Sequence, residues 1–516
     1  MKMYKKKIYY MLLIFACIIA VFIRVYQFGS VPGGMNQDGA MAAVDAKALA
    51  DYGTDRLGMR FPVHLTAWGF GQMSALLSYL MIPSIKLFGL SVFSARLPVL
   101  LISLASLGLL YLFSTDFGGK NTALIVLCLA AINPWHIIQS RWAIDCNLFP
   151  HFLLAGFCFL SRGVSRKPGW LFLSMVFFAL SMYCYGISVY TVPLILLSAG
   201  ILLLRRRKVS FLQILICALI YLLIAWPFLT CMVINTFGLN TIETPFFTIP
   251  YFPYSMRSGD ILFFSEKPLL QLQKNAEALL QILFQVYRGP AWNEVRGFGT
   301  LYVFSVPFML IGIVSAFRSY QDSTPAALTV IWFLTSLVAG LITANVNINR
   351  INIIFYPLIL FTGSGIHVFL RFFSQRKNGK IINFLIPLAY LSAFCVFTGT
   401  YFTTYAEQAA NDFMLDFGNA VTAIKDCDAE KIYISADAQY KGFSHVSEIL
   451  TLFYLETDAK YYQSPDFSHR FSFHIPSDPD PSEDAVYVAA AEDLPYFPED
   501  FFRIKSFGKF SVIQPG

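Results

Sequence analysis

Apolar residues in this chain come in long unbroken runs divided by short polar segments, and strand-like alternation appears only in the last fifth of the sequence. Runs at 8–23, 96–113, 121–138, 150–162, 169–184, 187–204, 210–232, 301–317, 325–342, 352–370 and 381–400 are each expected to cross a bilayer as a helix. The first follows Lys2, Lys5, Lys6 and Lys7, and no small-x-small cleavage site follows it, so it reads as a span rather than a signal peptide. A further apolar run, 73–90, is broken by Pro83 and Lys86 and closed by Gly89. Charge decides how to read it. With 73–90 left out of the membrane, the short inner loops hold thirteen Lys and Arg, from Lys120 through the Arg205–Lys208 cluster to Lys380. The short outer loops hold two, Arg141 and Arg350. Counting 73–90 as a span inverts that asymmetry, against the positive-inside rule. The segment is therefore expected to lie along the outer face.

Between the first two spans, residues 36–53 favour a helix through Ala, Met, Val and Leu, with Asn36 or Asp38 able to cap its start and Gly53 its end. Met41, Val44 and Ala48 share one stripe, and Asp38 and Asp45, seven apart, share another. This predicts a short amphipathic helix on the membrane surface with a carboxylate at its leading edge. Asp38 is then either an N-cap or a chemical group. The outer loop 233–300 is rich in Pro and aromatics over 244–254, carries an amphipathic helix over 268–287, and has the length of a lid or binding segment. After Gly399 the chain turns polar, with alternating patches at 431–435 and 485–489. The fold class expected is an all-α polytopic membrane protein of about eleven transmembrane helices, residues 1–401, followed by a small extracytoplasmic α/β domain, 402–516. The N-terminus is expected in the cytoplasm.

Composition agrees. Of 516 residues 56% are hydrophobic and 13% charged, about half the charge of a soluble domain. The +7 net charge resides in inter-span clusters facing anionic lipid, which argues for membrane lipid and against nucleic acid as a partner. Seven of the nine Cys sit in apolar runs without metal spacing or a disulfide framework, and read as small buried hydrophobes. His64 and His136 form no metal-spaced pair, and His136 reads as an interfacial aromatic.

The spans hold essentially no Asp, Glu or Lys, whereas an ion-coupled transporter needs such groups at mid-membrane. Polar chemistry gathers at the outer face: Asp38, and the segment 133–147, where Arg141 and Asp145 are four apart and fall on one face of a helix. An enzyme working on a lipid-borne substrate at the membrane boundary fits this best. The alternatives are a transporter of lipid-linked or polymeric envelope material, or a non-catalytic envelope scaffold. Inverted or parallel repeats would favour transport, and the sequence shows none.

Four segments occur in a telling order: Gly29-Ser-Val-Pro-Gly-Gly-Met-Asn-Gln-Asp38, Tyr52-Gly-Thr-Asp-Arg-Leu-Gly58, Leu87-Phe-Gly-Leu-Ser-Val-Phe-Ser-Ala-Arg-Leu-Pro98, and Asn133-Pro-Trp-His continuing to Ser140-Arg-Trp-Ala-Ile-Asp145. Together they resemble the GT-C glycosyltransferases, in the branch of protein mannosyltransferases and aminoarabinose transferases (the glycosyltransferase 39 group). The resemblance covers about residues 8–370. It implies a monosaccharide transferred from a polyprenyl-phosphate donor to an acceptor hydroxyl on a protein, lipid or wall polymer, with inversion. It also implies that Asp38 is the catalytic carboxylate and Asp145 the second acidic site. The chain departs from the family at Asp38-Gly39, where many members have Asp-Glu, and at Gly71-Gln72, where the aminoarabinose type has Lys-Pro. A polyprenyl phosphate leaves readily, so the reaction needs a base for the acceptor and a cation for the phosphate. Asp38 is the expected base, and Arg141 and Arg350 are the expected phosphate-binding cations. Asp145 either orients the acceptor or helps hold a divalent metal, as in the oligosaccharyltransferase relatives; no sequence feature requires that metal.

Overall fold

The apolar runs are helices. In the computed structural model these are, in chain order, α1 (Lys2–Val25), α2 (Gln37–Tyr52), α3 (Leu76–Phe88), α4 (Val92–Ala131), α5 (Pro134–Gln139), α6 (Phe149–Ser165), α7 (Pro168–Ser181), α8 (Ser188–Arg205), α9 (Phe211–Phe237), α10 (Pro268–Leu283), α11 (Val306–Arg318), α12 (Thr324–Ile342), α13 (Phe355–Phe373) and α14 (Gly379–Phe402). The structure describes residues 2–69, 71–253, 262, 266–286, 289, 291–343, 345–374, 376, 379–436 and 445–516. Tyr254 and Tyr287, which end two segments read from the sequence, and Lys377, one of the thirteen inner-loop charges, lie outside the described residues.

Eight described helices are long and apolar enough to cross a membrane: α1, α4, the segment ending in α6, α8, α9, α12, the segment ending in α13, and α14. The protein is a multi-pass membrane protein. The 40-residue α4 leaves helical geometry at Gly119 (φ 80°, ψ 176°), so it comprises two spans joined by a turn. With α7 and α11 as shorter apolar helices, every expected span has a helix. The third ends earlier than the hydropathy suggests, at Ala131 rather than 138. Pro134 has no N–H to continue it and instead opens α5, whose first turn is capped by Asn133 Oδ1 accepting from His136 N at 2.9 Å. In the run 73–90, β-structure occupies the start and a helix of 13 residues, α3, follows, about 20 Å long at 1.5 Å per residue; it is not among the helices long and apolar enough to cross a membrane.

The contacts divide the chain into two units, residues 1–28, 99–232 and 255–405, and residues 29–98, 233–254 and 406–516. In the first, helices meet at small residues, as expected where lipid removes the hydrophobic drive for association. A Cβ on Gly312 of α11 would lie 1.8 Å from the Phe361 carbonyl of α13, and one on Gly365 would lie 1.7 Å from the Phe308 carbonyl. The two backbones touch there. Asn275 of α10 donates to the Leu341 and Thr343 carbonyls at 2.8 Å each, closing the C-terminal end of α12.

The second unit holds α2, α3, a hairpin of β1 (His64–Thr66) and β2 (Gln72–Ser74), the short pair β3 (Ile242–Glu243) and β4 (Thr248–Ile249), and the C-terminal residues. The last form a five-stranded mixed sheet in the order β6 (Phe471–Ser472), β5 (Lys431–Ile434), β7 (Ala485–Ala490), β9 (Phe510–Pro515), β8 (Phe502–Phe507). Its β5, β6 and β7 are parallel, and β9 pairs antiparallel with β7 and β8. The α/β character read from 431–435 and 485–489 is present, and β7 is buried along its whole length.

Candidate active site

In the second unit the chemistry begins at the start of α2. Asn36, in extended geometry, is the N-cap residue and makes no side-chain capping bond; Asp38 lies inside the first turn. A carboxylate there is stabilised by the helix dipole. Its Oδ1 accepts from Trp68 Nε1 at 2.6 Å, and Trp68 sits in the turn between β1 and β2. Asp38 is half-buried. The expected surface helix is not what forms. Gly39 through Ala46, Ala48 and Leu49 are all buried, because α3 and the helix His445–Tyr454 of the same unit pack on α2. Asp45, on the expected polar stripe, is fully buried as well.

What makes that burial tolerable is Arg56. Its Nη1 donates to Asp45 Oδ2 at 2.7 Å and its backbone N to Asp45 Oδ1 at 3.0 Å. Beside it, Asp55 Oδ1 accepts from the Leu57 and Met59 amides at 3.0 and 2.8 Å, which builds the turn that aims Arg56 inward. Burial, reinforced by the neighbouring Asp45 charge, pushes the Asp55 carboxyl up to about 7. His64 of β1 is also buried, and that pulls its imidazole down to about 4, so it is neutral at ordinary pH.

The loop leading into α2 is held from below. Arg96, fully buried at the start of α4, donates to the Pro32 and Gly34 carbonyls at 2.7 and 2.6 Å, with its guanidinium 5.5 Å from the Phe413 ring centre. Gly34 has φ +79°, and a Cβ there would sit 2.2 Å from the Phe413 carbonyl. The segments 29–38 and 87–98 are thus parts of one support.

In the first unit, Arg141 and Asp145 do not share a helical face. The helix α5 ends at Gln139, and Asp145 opens a separate single turn, Asp145–Leu148, with Oδ1 accepting from the Cys146 amide at 2.7 Å. Arg141 is engaged by backbone carbonyls. It is fully buried and donates to the Ile23, Arg24 and Gln27 carbonyls at 2.9, 2.9 and 3.0 Å. Its guanidinium lies 5.6 and 5.2 Å from the Tyr401 and Phe402 ring centres. It closes the C-terminal end of α1, where carbonyls lack helical partners. Arg350 remains half-buried, its backbone N donating to Asn347 Oδ1 at 3.0 Å. Two residues on, Asn352 Nδ2 donates to the Cys146 carbonyl, so the segments carrying Asp145 and Arg350 adjoin. Asp38 belongs to the other unit.

The first unit also holds a buried polar cluster, most of which the sequence did not flag. His136 is fully buried rather than interfacial: Arg24 Nη2 lies 2.9 Å from its Nδ1, and Tyr356 Oη lies 3.1 Å from its Nε2. Tyr356 Oη is also 2.6 Å from Ser106 Oγ and 2.7 Å from His151 Nδ1. Among the described residues no three His, Cys, Asp or Glu side chains gather into a ligand set for a metal ion.

Residues 73–230 match the family model for dolichyl-phosphate-mannose-protein mannosyltransferase. No curated protein matches the chain. Among solved structures, ArnT from Cupriavidus metallidurans in the apo state is similar at 12% identity and a TM-score of 0.57, over 98% of this chain and 97% of that one. The same enzyme bound to undecaprenyl phosphate aligns over the same shares at 11% identity and a TM-score of 0.57. The oligosaccharyltransferase AglB from Archaeoglobus fulgidus, in complex with an inhibitory peptide and a dolichol-phosphate, is similar at 14% identity and a TM-score of 0.54, over 87% of this chain and 64% of that one. A structure of the Archaeoglobus oligosaccharyltransferase with Zn and sulfate has a TM-score of 0.55 at 14% identity, over 90% of this chain and 62% of that one. With that family match and that architecture, the chain has the GT-C fold and resembles the protein-mannosyltransferase branch of the GT-C membrane glycosyltransferases.

Proposed function

We propose that this protein is a membrane glycosyltransferase that moves a monosaccharide from a polyprenyl-phosphate donor to an acceptor hydroxyl, with inversion, at the outer face of the membrane. The observation that carries this is Asp38: a half-buried carboxylate in the first turn of α2, steadied by the Trp68 indole, on a GT-C fold. The ArnT structure with undecaprenyl phosphate and the AglB structure with dolichol-phosphate support a lipid-phosphate donor.

Asp38 is the base that takes the acceptor proton as the hydroxyl oxygen bonds to the sugar C1 and the C1–phosphate oxygen bond breaks. Trp68 donates to one carboxylate oxygen and so fixes the orientation of the group. Arg350 is the cation for the departing phosphate, its planar fork suiting phosphate oxygens. Arg141 is left out of the donor site because its guanidinium closes α1. Asp145 is assigned to orienting the acceptor or to helping hold a divalent metal, the two roles its carboxylate can serve. The test is to incubate purified protein with a panel of polyprenyl-phosphate sugars and follow sugar release or transfer by mass spectrometry. Turnover of one member is expected. No turnover of any member, by protein shown to be folded, would refute the proposal.

A further inference from the structure

We propose that the buried Asp45–Arg56 pair is a positioning device for Asp38, acting through the β1–β2 hairpin that presents Trp68. This rests on the reading of Asp38 as the base.

Arg56 does more than neutralise Asp45. While Nη1 holds Asp45 Oδ2, Nη2 donates to the Thr66 and Ala67 carbonyls at 3.0 and 3.1 Å. Those are the two residues immediately before Trp68. The linkage therefore closes on itself: α2 carries Asp45, Asp45 holds Arg56, Arg56 holds the backbone beside Trp68, and Trp68 returns to Asp38 on α2. Both ends lie on one helix, two turns apart, so a rigid rod spans the loop.

A buried ion pair is usually replaceable by apolar residues at little cost to stability. At position 56, however, no apolar side chain could also bind the two carbonyls that Arg56 holds. The planar guanidinium does both at once, and a lysine ammonium could not bridge carboxylate and carbonyls in the same geometry. The C-terminal residues of the same unit tighten the arrangement. Gln463 Nε2 donates to the Arg56 carbonyl at 3.1 Å, and Tyr52 Oη donates to Asp458 Oδ2 at 2.5 Å at the far end of α2. Gly58, at φ +89°, passes so close that a Cβ would sit 3.0 Å from Gln463 Oε1.

The test labels the full-length protein with 5-fluorotryptophan and identifies the Trp68 resonance among the seven tryptophans by its loss in Trp68→Phe. Arg56→Lys, which keeps the charge opposite Asp45, is expected to shift that resonance. It is also expected to lower kcat about 10-fold or more, with donor KM changed by no more than about twofold, since a small displacement of a catalytic group costs rate rather than binding. The donor is the polyprenyl-phosphate sugar that the wild type turns over. In a Trp68→Phe background the same substitution should lower kcat by no more than about twofold further, because the linkage is already cut. A stable Arg56→Lys protein with an unmoved Trp68 resonance, or kcat losses that simply multiply, overturns the inference. If the wild type turns over no donor, the proposed function fails, while the resonance still decides whether Arg56 governs the placement of Trp68.

Discussion

Replacing Arg141 by Met separates a structural arginine from a donor-binding one. The substitution preserves much of the volume and removes the guanidinium. It leaves the Ile23, Arg24 and Gln27 carbonyls, bonded at 2.9–3.0 Å, without their shared donor at the buried end of α1. An acceptor stranded in a buried site costs about 1–3 kcal/mol. Partial relaxation of three neighbouring carbonyls puts the total at about 4 kcal/mol, and loss of the stacking on Tyr401 and Phe402 adds to it. Thermal unfolding in detergent should therefore show a large drop in melting temperature. The surviving folded enzyme should keep the wild-type KM for its lipid donor. Arg141→Lys should fall between, since an ammonium cannot reach three carbonyls in one fork geometry. A normal melting curve with a raised donor KM would refute the structural role and return Arg141 to the phosphate.

Asp55→Asn should stabilise the protein at pH 8 and leave it unchanged at pH 4 or below. The native carboxyl is raised to about 7, so the folded state binds more protons than the unfolded one from about pH 4 to 7, and stability falls as pH rises through that window. The gain, read from melting temperature against pH, is at most about 4 kcal/mol. Gly312→Ala should lower folded yield and melting temperature sharply, because its Cβ would meet the Phe361 carbonyl at 1.8 Å; a mild effect would mean that α11 and α13 separate easily. Single cysteines at Asp51, Phe246 and Glu430, all exposed, should react with an impermeant thiol reagent from outside intact cells, and one at Lys208 should not. Labelling at Lys208 would invert the proposed topology.

The spans were legible because lipid demands long apolar runs, and the breaks at Pro83 and Gly89 already mark 73–90 as a shorter element than the spans. The third span was overrun because Asn133-Pro134 sits between apolar neighbours, and hydropathy is blind to a missing N–H. The extent of α2 was legible from its helix formers and from Gly53, which ends it in left-handed geometry at φ +71°. Its surroundings were not: Asp45 looked like a polar-face residue because Arg56, eleven positions away, is part of no helical spacing rule. Trp68 carries no local signal of a partner thirty residues earlier. Arg141 and Asp145 matched a helical spacing that the chain does not adopt, because α5 stops at Gln139. The resemblance motifs located the support around Asp38 without revealing its mechanics, which lie in Arg96 gripping the Pro32 and Gly34 carbonyls and Arg56 gripping Asp45.

Asp38→Asn tests the central claim most directly. Asparagine keeps an oxygen for the Trp68 indole and loses only the dipole stabilisation of a first-turn carboxylate, about 0.3–1 kcal/mol, so the melting temperature in detergent should stay close to wild type. It cannot take a proton from an acceptor. The rate of sugar transfer from the polyprenyl-phosphate donor, measured at saturating donor, should fall on the order of 10²-fold or more. A folded Asp38→Asn protein transferring sugar at near the wild-type rate would contradict the assignment of Asp38 as the base.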